Sequence, residues 1–98
     1  MLFRSALAAA REKDQLRVIG YSDNQPINTP RFPSNVELSL ARAQAVADAI
    51  GQRLDPSLIH AEGRGAADPV DTNDTDKGRE ANRRTDIQVI WRQGAGKP

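Results

Sequence analysis

A long run of helical periodicity, with a strand-like segment on each side, limits this chain to a small set of folds. Apolar residues recur every three or four positions over residues 36–54, which predicts one amphipathic helix. Ser34 or Asn35 can cap its start, and Glu37 lies three residues after Ser34 as a capping box requires. Asp55 and Pro56 end the helix. The predicted buried stripe consists of Val36, Leu40, Ala43, Ala47, Ile50 and Leu54.

The strand-like segments precede and follow this helix. Residues 16–21 contain the β-branched Val18 and Ile19, and residues 58–62 end at Gly63. A strand–helix–strand order normally joins two parallel strands through a right-handed crossover. We therefore expect an α+β fold, a two-layer sandwich in which helices cover one face of a mixed sheet that contains this βαβ crossover.

Two more helices and a last strand are predicted outside the crossover. Residues 3–13 have helical spacing, and residues 76–84 can form a short helix with Thr75 or Asp76 as its cap. Residues 86–91 alternate between apolar and polar side chains, which is typical of a strand. The sheet is therefore expected to gain a strand after the crossover.

Length and composition narrow the classes of function. A chain of 98 residues fits one domain, which we place at residues 1–93, followed by a flexible tail at 94–98. Fourteen basic residues balance thirteen acidic ones, which argues against nucleic-acid binding because such domains carry a clustered basic excess. The lack of Cys excludes disulfides and thiolate metal sites, and no apolar run is long enough to span a bilayer.

Three segments, in order and at compatible spacing, resemble the OmpA-like peptidoglycan-binding domain. Residues 20–24 match its Gly-His/Tyr-Thr/Ser-Asp at the end of a strand, and residues 35–43 match its Asn-x-x-Leu-Ser-x-x-Arg-Ala helix start. Residues 78–84 match its Gly-Arg-x-x-Asn-Arg-Arg, so the resemblance covers about residues 16–92. Domains of this family usually begin with a further strand. In this chain only residues 2–6 resemble it, and they match a part of it. The first strand is therefore expected to be shortened or missing.

The proline-rich loop at residues 22–34 is similar to that of two branches of the family. One is the module fused to the TssL-type inner-membrane protein of type VI secretion, and the other is the flagellar stator protein MotB. Gln25 and residues 38–43 favour the secretion branch. The resemblance implies a periplasmic domain of a membrane-anchored parent that anchors an envelope complex to the cell wall. Its expected partners are peptidoglycan and secretion or motor proteins. The resemblance leaves open whether the domain forms a homodimer.

By this resemblance, the ligand is the diaminopimelate residue of a peptidoglycan stem peptide, whose free end carries an ammonium and a carboxylate. Asp23 would accept from the ammonium, and Arg42 would donate a forked pair of hydrogen bonds to the carboxylate. Arg42 lies two residues from Leu40, which turns it roughly 200° away from that predicted core position. The predicted peptidoglycan-binding residues are Ser22, Asp23, Asn24, Asn35, Leu38, Ser39, Arg42 and Ala43, with Asn82 and Arg83 as secondary candidates that we expect chiefly to be structural.

The sequence contains no pattern of residues that indicates a catalytic or metal site. His60 is the only histidine, and it lies in a predicted strand with no nucleophile beside it. An EF-hand loop read from Asp71 lacks Gly at its sixth position, Asp76, and Glu at its twelfth, Asn82. We therefore expect no enzyme activity, no cofactor and no metal.

A protein-docking module in an envelope complex, without wall binding, is the remaining alternative. The loop carries the apolar residues Pro26, Ile27 and Phe32, which would form an exposed patch suited to a protein partner.

Overall fold

The computed structural model describes residues 14–90. The helix predicted at residues 3–13, the family resemblance at residues 2–6 and the tail at residues 94–98 lie outside the described residues, as does the end of the last strand at Trp91. Within the described part, no helix is long and apolar enough to cross a membrane.

Residues 14–90 form one three-stranded mixed sheet. β1 (Gln15–Gly20) is the central strand, β2 (Ile59–Gly63) pairs parallel to it along one edge, and β3 (Thr85–Ile90) pairs antiparallel to it along the other. Helix α1 (Asn35–Ile50) connects β1 to β2, and helix α2 (Asp76–Asn82) lies between β2 and β3 in the chain. The predicted α+β fold, with its mixed sheet and its parallel βαβ unit, is confirmed.

The core lies between the sheet and α1. Leu16 and Val18 of β1 are almost fully buried, and the register aligns each with apolar residues of both neighbouring strands. Burial of this apolar surface is the main force that holds the helix on the sheet. The other partly buried apolar residues packed against this core are Val46, Leu54, Ile59, Ala61, Ile87 and Val89.

The start of α1 is capped as predicted. The hydroxyl of Ser34 accepts a hydrogen bond from the backbone N–H of Val36, which satisfies one of the free donors of the first turn. The same hydroxyl donates to the carboxylate of Glu37 and holds its pKa below the ordinary value. A single 3₁₀ turn (Pro56–Leu58), capped by Asp55, then leads into β2.

The buried stripe of α1 differs from the predicted one in its first half. Val36 and Leu40 are 49% and 41% exposed, whereas Ser39 is fully buried. The reason is the close approach of the helix to two glycines of the sheet: a Cβ at Gly20 would stand 2.0 Å from the carbonyl oxygen of Ser39, and one at Gly63 would stand 2.5 Å from the backbone of Leu40. Only a small side chain fits beneath the helix there. The second half, Ala43, Ala47 and Ile50, is buried as predicted.

The face of the sheet opposite α1 carries a row of charges. Arg17 donates to Glu62 at 2.7 Å and Arg64 donates to the other oxygen of the same carboxylate. These hydrogen bonds, that from Arg17 first, hold the pKa of Glu62 below its ordinary value. The charges lie across β1 and β2 and tie the two parallel strands together.

Candidate functional site

A pocket of about 230 Å³ opens at the carboxyl end of β1. It is formed where the loop after β1, the first turns of α1 and the end of α2 meet. Ligands of open sheets with parallel strands commonly bind at this end of the strands. The pocket is lined by Ser22, Asp23, Gln25, Pro26, Ile27, Asn35, Leu38, Arg42 and Arg83.

The two residues that lead from β1 to the pocket are hydrogen-bonded to neighbours on both sides of the strand. The backbone N–H of Tyr21 donates to the carbonyl of Arg84 at 2.8 Å, and that of Ser22 donates to the carbonyl of Gly65 at 2.8 Å. These bonds continue the pairing of β1 beyond its last residue. Asp23 therefore follows directly on a rigid support rather than on a free loop.

Both carboxylate oxygens and the backbone carbonyl of Asp23 accept hydrogen bonds. Its side chain is only 9% exposed. One carboxylate oxygen, Oδ1, accepts from the backbone N–H of Gln25 at 3.0 Å, and the other, Oδ2, accepts from Nη1 of Arg83 at 2.8 Å. The backbone carbonyl of Asp23 accepts from the hydroxyl of Ser22 at 2.8 Å. The carboxylate is thus pre-oriented and already paired with a cation.

Asn35, the first residue of α1, ties the loop to the helix. Its side-chain amide donates to the carbonyl of Gln25 at 2.9 Å and to that of Asp23 at 3.4 Å. The proline-rich loop is therefore fastened to α1 close to the pocket. The predicted role of Asn35 beside the ligand stays a prediction, while its part in shaping the pocket follows from these two bonds.

Arg42 projects from α1 into the same pocket and is exposed. Its guanidinium makes no hydrogen bond or ion pair with the residues described here. The two acids on the same helix bond elsewhere, since Glu37 accepts from Ser34 and Asp48 accepts from Gln44 at 2.9 Å. The whole guanidinium of Arg42 is therefore available to an anion in the pocket.

Arg83 has a larger part in the site than the sequence indicates. The sequence predicts it to be chiefly structural, yet it lines the pocket and pairs with Asp23. The next residue, Arg84, has a different partner and stacks over the ring of Tyr21 at 3.8 Å. Arg83 caps the end of α2 and Arg84 lies between this cap and β3, so the turn between the two elements gives the arginines different surroundings.

The structure brings together six of the ten predicted site residues and leaves four outside the pocket. Those in the pocket are Ser22, Asp23, Asn35, Leu38, Arg42 and Arg83. The four outside it are Asn24, Ser39, Ala43 and Asn82. Gln25, Pro26 and Ile27 were missed as site residues, although their loop was singled out for its apolar side chains.

The four outside the pocket have other surroundings. Ser39 is buried against the sheet, where its hydroxyl accepts from the backbone N–H of Gly65 at 2.9 Å. Ala43 is fully buried in the core cluster, and Asn24 is exposed beside the pocket. A ligand contact of the Ser39 or Ala43 side chain would require a different arrangement of α1, whereas the contact of Asn24 stays a prediction.

Asn82 is fully buried, and the hydrogen bonds of its side chain hold the loop before α2 in place. Its side-chain oxygen accepts from the backbone N–H groups of Val70 and Asp71 at 2.8 and 3.0 Å, and its amide donates to the carbonyl of Asp71 and to Asn73, both at 2.9 Å. All four hydrogen-bonding positions of this side chain are therefore used within the protein. This agrees with the structural role expected for it.

The charges of the pocket are unequal. Asp23 contributes one negative charge, whereas Arg42 and Arg83 contribute two positive ones. In residues 14–90, no group of three or more His, Asp or Glu side chains is placed to hold a metal ion. The arrangement is suited to hydrogen bonding with an anionic or zwitterionic group.

Comparisons with known proteins agree with this architecture. A sequence model of the OmpA family matches residues 2–83 of the chain. The structure of the cell wall anchor of the type VI secretion system (T6SS) from Pseudomonas aeruginosa is similar, with a TM-score of 0.78 and 48% identity over 93% of this chain and 64% of that chain. The C-terminal domain of Helicobacter pylori MotB gives a TM-score of 0.80 at 26% identity, covering 93% of this chain and 71% of that one.

A curated relative extends the comparison. Outer membrane protein A of Bordetella avium is 34% identical over 82 residues, which is 83% of this chain and 41% of that protein. The chain spans less than half of the length of the curated relatives that it matches.

Proposed function

The chain belongs to the OmpA family, and from this premise we propose that it binds peptidoglycan without covalent chemistry and anchors an envelope complex to the cell wall. The observation that supports this most directly is the shared pocket of Asp23 and Arg42 at the end of β1. An acid and a guanidinium on separate elements face one volume of about 230 Å³, which is the size of an amino-acid head group rather than of a large ligand.

The proposed ligand is the diaminopimelate residue of a stem peptide. Its carboxylate would bind the guanidinium of Arg42, which has no competing partner in the described structure. Its ammonium would approach Asp23 Oδ2, an oxygen that now accepts from Arg83. Leu38 and Ile27 supply apolar walls for the carbon chain between the stem and the charged end.

The proposed setting is the periplasm, in a membrane-anchored parent protein. The 48% identity to a T6SS cell wall anchor favours a secretion complex over a flagellar stator, since the MotB structure is only 26% identical. The role is one of binding rather than catalysis, in agreement with the likeness to a wall anchor. A stator anchor is the second candidate, and dimerisation stays a prediction.

Sedimentation with purified sacculi of a diaminopimelate-type wall tests this function. The wild-type chain should sediment with the sacculi. Arg42→Ala should lose most of this binding without loss of the fold, because the guanidinium makes no hydrogen bond or ion pair within residues 14–90. Asp23→Asn should weaken binding, because it removes the negative charge and keeps the shape of the side chain. Arg53→Ala removes an exposed arginine outside the pocket and is the matched control.

Three outcomes would contradict the proposal. If Arg42→Ala and Asp23→Asn both remain folded and sediment as the wild type does, the pocket is not the binding site. Release of soluble muropeptides during the incubation would favour a hydrolase. Wild-type protein that does not sediment at all, but retains a protein partner, would favour the docking module.

A further inference from the structure

The pocket has one more positive charge than a zwitterionic head group can compensate. Such a group brings one carboxylate and one ammonium, so its own charge is zero. Asp23, Arg42 and Arg83 together carry a net charge of +1, counted from one carboxylate and two guanidinium groups. Binding a zwitterion would therefore leave one guanidinium charge without a partner in a partly desolvated space, which is unfavourable.

Arg83 has the free donors to bind a second anion. Only its Nη1 group is committed, to Asp23, whereas a guanidinium carries five N–H donors. Its other donors make no hydrogen bond with any residue in the described range, and its side chain is 40% exposed at the pocket wall. The bond to Asp23 holds the guanidinium at the pocket wall and so keeps the remaining donors near the pocket.

We propose that the pocket selects a head group with two carboxylates and one ammonium, and that Arg83 is the residue that determines this specificity by binding the second carboxylate. The inference rests on the proposed function, and it narrows the ligand class. In diaminopimelate joined to a stem through its α-amine, such a group exists only when the α-carboxyl is free. The chain would then prefer stem peptides that end at diaminopimelate over those in which that carboxyl is converted to an amide.

The balance of charge in the pocket supports this assignment. A ligand with two carboxylates and one ammonium carries a net charge of −1, which brings the sum in the pocket to zero. The ammonium and the second carboxylate would lie on either side of the Asp23–Arg83 pair, so that each charge faces one of opposite sign. Arg42 keeps the first carboxylate, and no buried charge is left unpaired.

Isothermal titration of the 98-residue chain with two synthetic tripeptides of a stem ending at diaminopimelate tests the proposal. One carries a free α-carboxylate and the other the isosteric α-carboxamide. The wild type should bind the free acid roughly fivefold more tightly, the effect of one partly exposed ion pair. Arg83→Gln should reduce this ratio to about one, whereas Arg53→Gln, outside the pocket, should leave it unchanged.

Two further measurements keep the proposal testable if Arg83→Gln fails to fold. In the wild type, the ratio of the affinities for the free-acid and the carboxamide peptide should fall as the salt concentration is raised, since screening weakens the additional ion pair. Arg83→Lys keeps the charge and should retain a preference for the free acid. Equal binding of both peptides by the wild type, or an unchanged ratio in folded Arg83→Gln, would overturn this inference and leave the proposed function standing. Failure to bind either peptide or sacculi would overturn both.

Discussion

Nη1 of Arg83 lies 2.8 Å from Oδ2 of Asp23, although the two residues are 60 positions apart in the sequence. This pair joins the loop after β1 to the end of α2 and closes one wall of the pocket. Its two members differ in exposure, 9% for the Asp23 side chain and 40% for that of Arg83. A nearly buried acid paired with a half-exposed base should be more strongly coupled than a surface ion pair.

A double-mutant cycle with Asp23→Asn and Arg83→Gln should give a coupling free energy of about 1 kcal/mol in urea unfolding. The physical reason is that Asp23 is largely removed from water and depends on Arg83 for compensation. The pair Arg64 and Asp68, which is 3.8 Å apart and whose acid is 70% exposed, serves as the control and should show almost no coupling. Purely additive effects at Asp23 and Arg83 would contradict this view of the pocket wall.

Replacement of Asn82 by Ala should destabilise the protein by about 3 kcal/mol, measured by chemical denaturation. The change removes the buried side chain that bonds two backbone N–H groups and one carbonyl of the preceding loop. Glu80→Ala, on the same helix but exposed, should have little effect. Asn82→Asp, which can accept but cannot donate in its ionised form, should also destabilise, so equal stability of that variant would disprove the assigned hydrogen bonds.

A methyl group at Gly20 should force α1 away from the sheet. Its Cβ would stand 2.0 Å from the carbonyl oxygen of Ser39, a distance that no real contact allows. We expect Gly20→Ala to lower the free energy of unfolding by about 2 kcal/mol or more, visible as a lower melting temperature. Gly51→Ala, whose Cβ meets its nearest atom at 3.3 Å with a helical φ of −62°, should be close to neutral. Comparable losses at both positions would argue against close helix packing at Gly20.

The carboxylate of Glu62 makes the stability depend on pH. Arg17, and after it Arg64, hold its pKa in the folded chain below its value when unfolded. Its contribution is therefore fully present above the unfolded pKa and is lost as the pH falls through the folded one. Melting temperatures measured from neutral to about pH 3 should fall less steeply in Glu62→Gln than in the wild type. Identical slopes would show that the charged row contributes nothing to acid sensitivity.

The elements of the fold follow from local signals that act over a few residues. The caps at Ser34 and Thr75 and the strand character around Val18 require only neighbouring residues, and they are found where they are predicted. The buried face of α1 is different, because the apolar spacing of Val36 and Leu40 does not reveal what lies beneath the helix. Two glycines on neighbouring strands bring the helix so close that Ser39 fits there and the larger residues do not.

The site is predictable to the extent that it consists of motif residues on the elements just described. Asp23 and Arg42 are found in one pocket as the family resemblance implies. The role of Arg83 depends on a contact across 60 residues, and no local pattern distinguishes it from its neighbour Arg84. They differ only in their tertiary partners, Asp23 for Arg83 and the ring of Tyr21 for Arg84, and these depend on how the turn between α2 and β3 is placed against β1.

The central place of β1 has a mechanical consequence. A ligand held directly beyond its carboxyl end pulls against the chain that enters at its amino end, so tension runs along the strand itself. β1 is hydrogen-bonded to β2 on one edge and to β3 on the other. Since these bonds run across the strand, such a force shears both ladders at once instead of peeling them open one bond at a time.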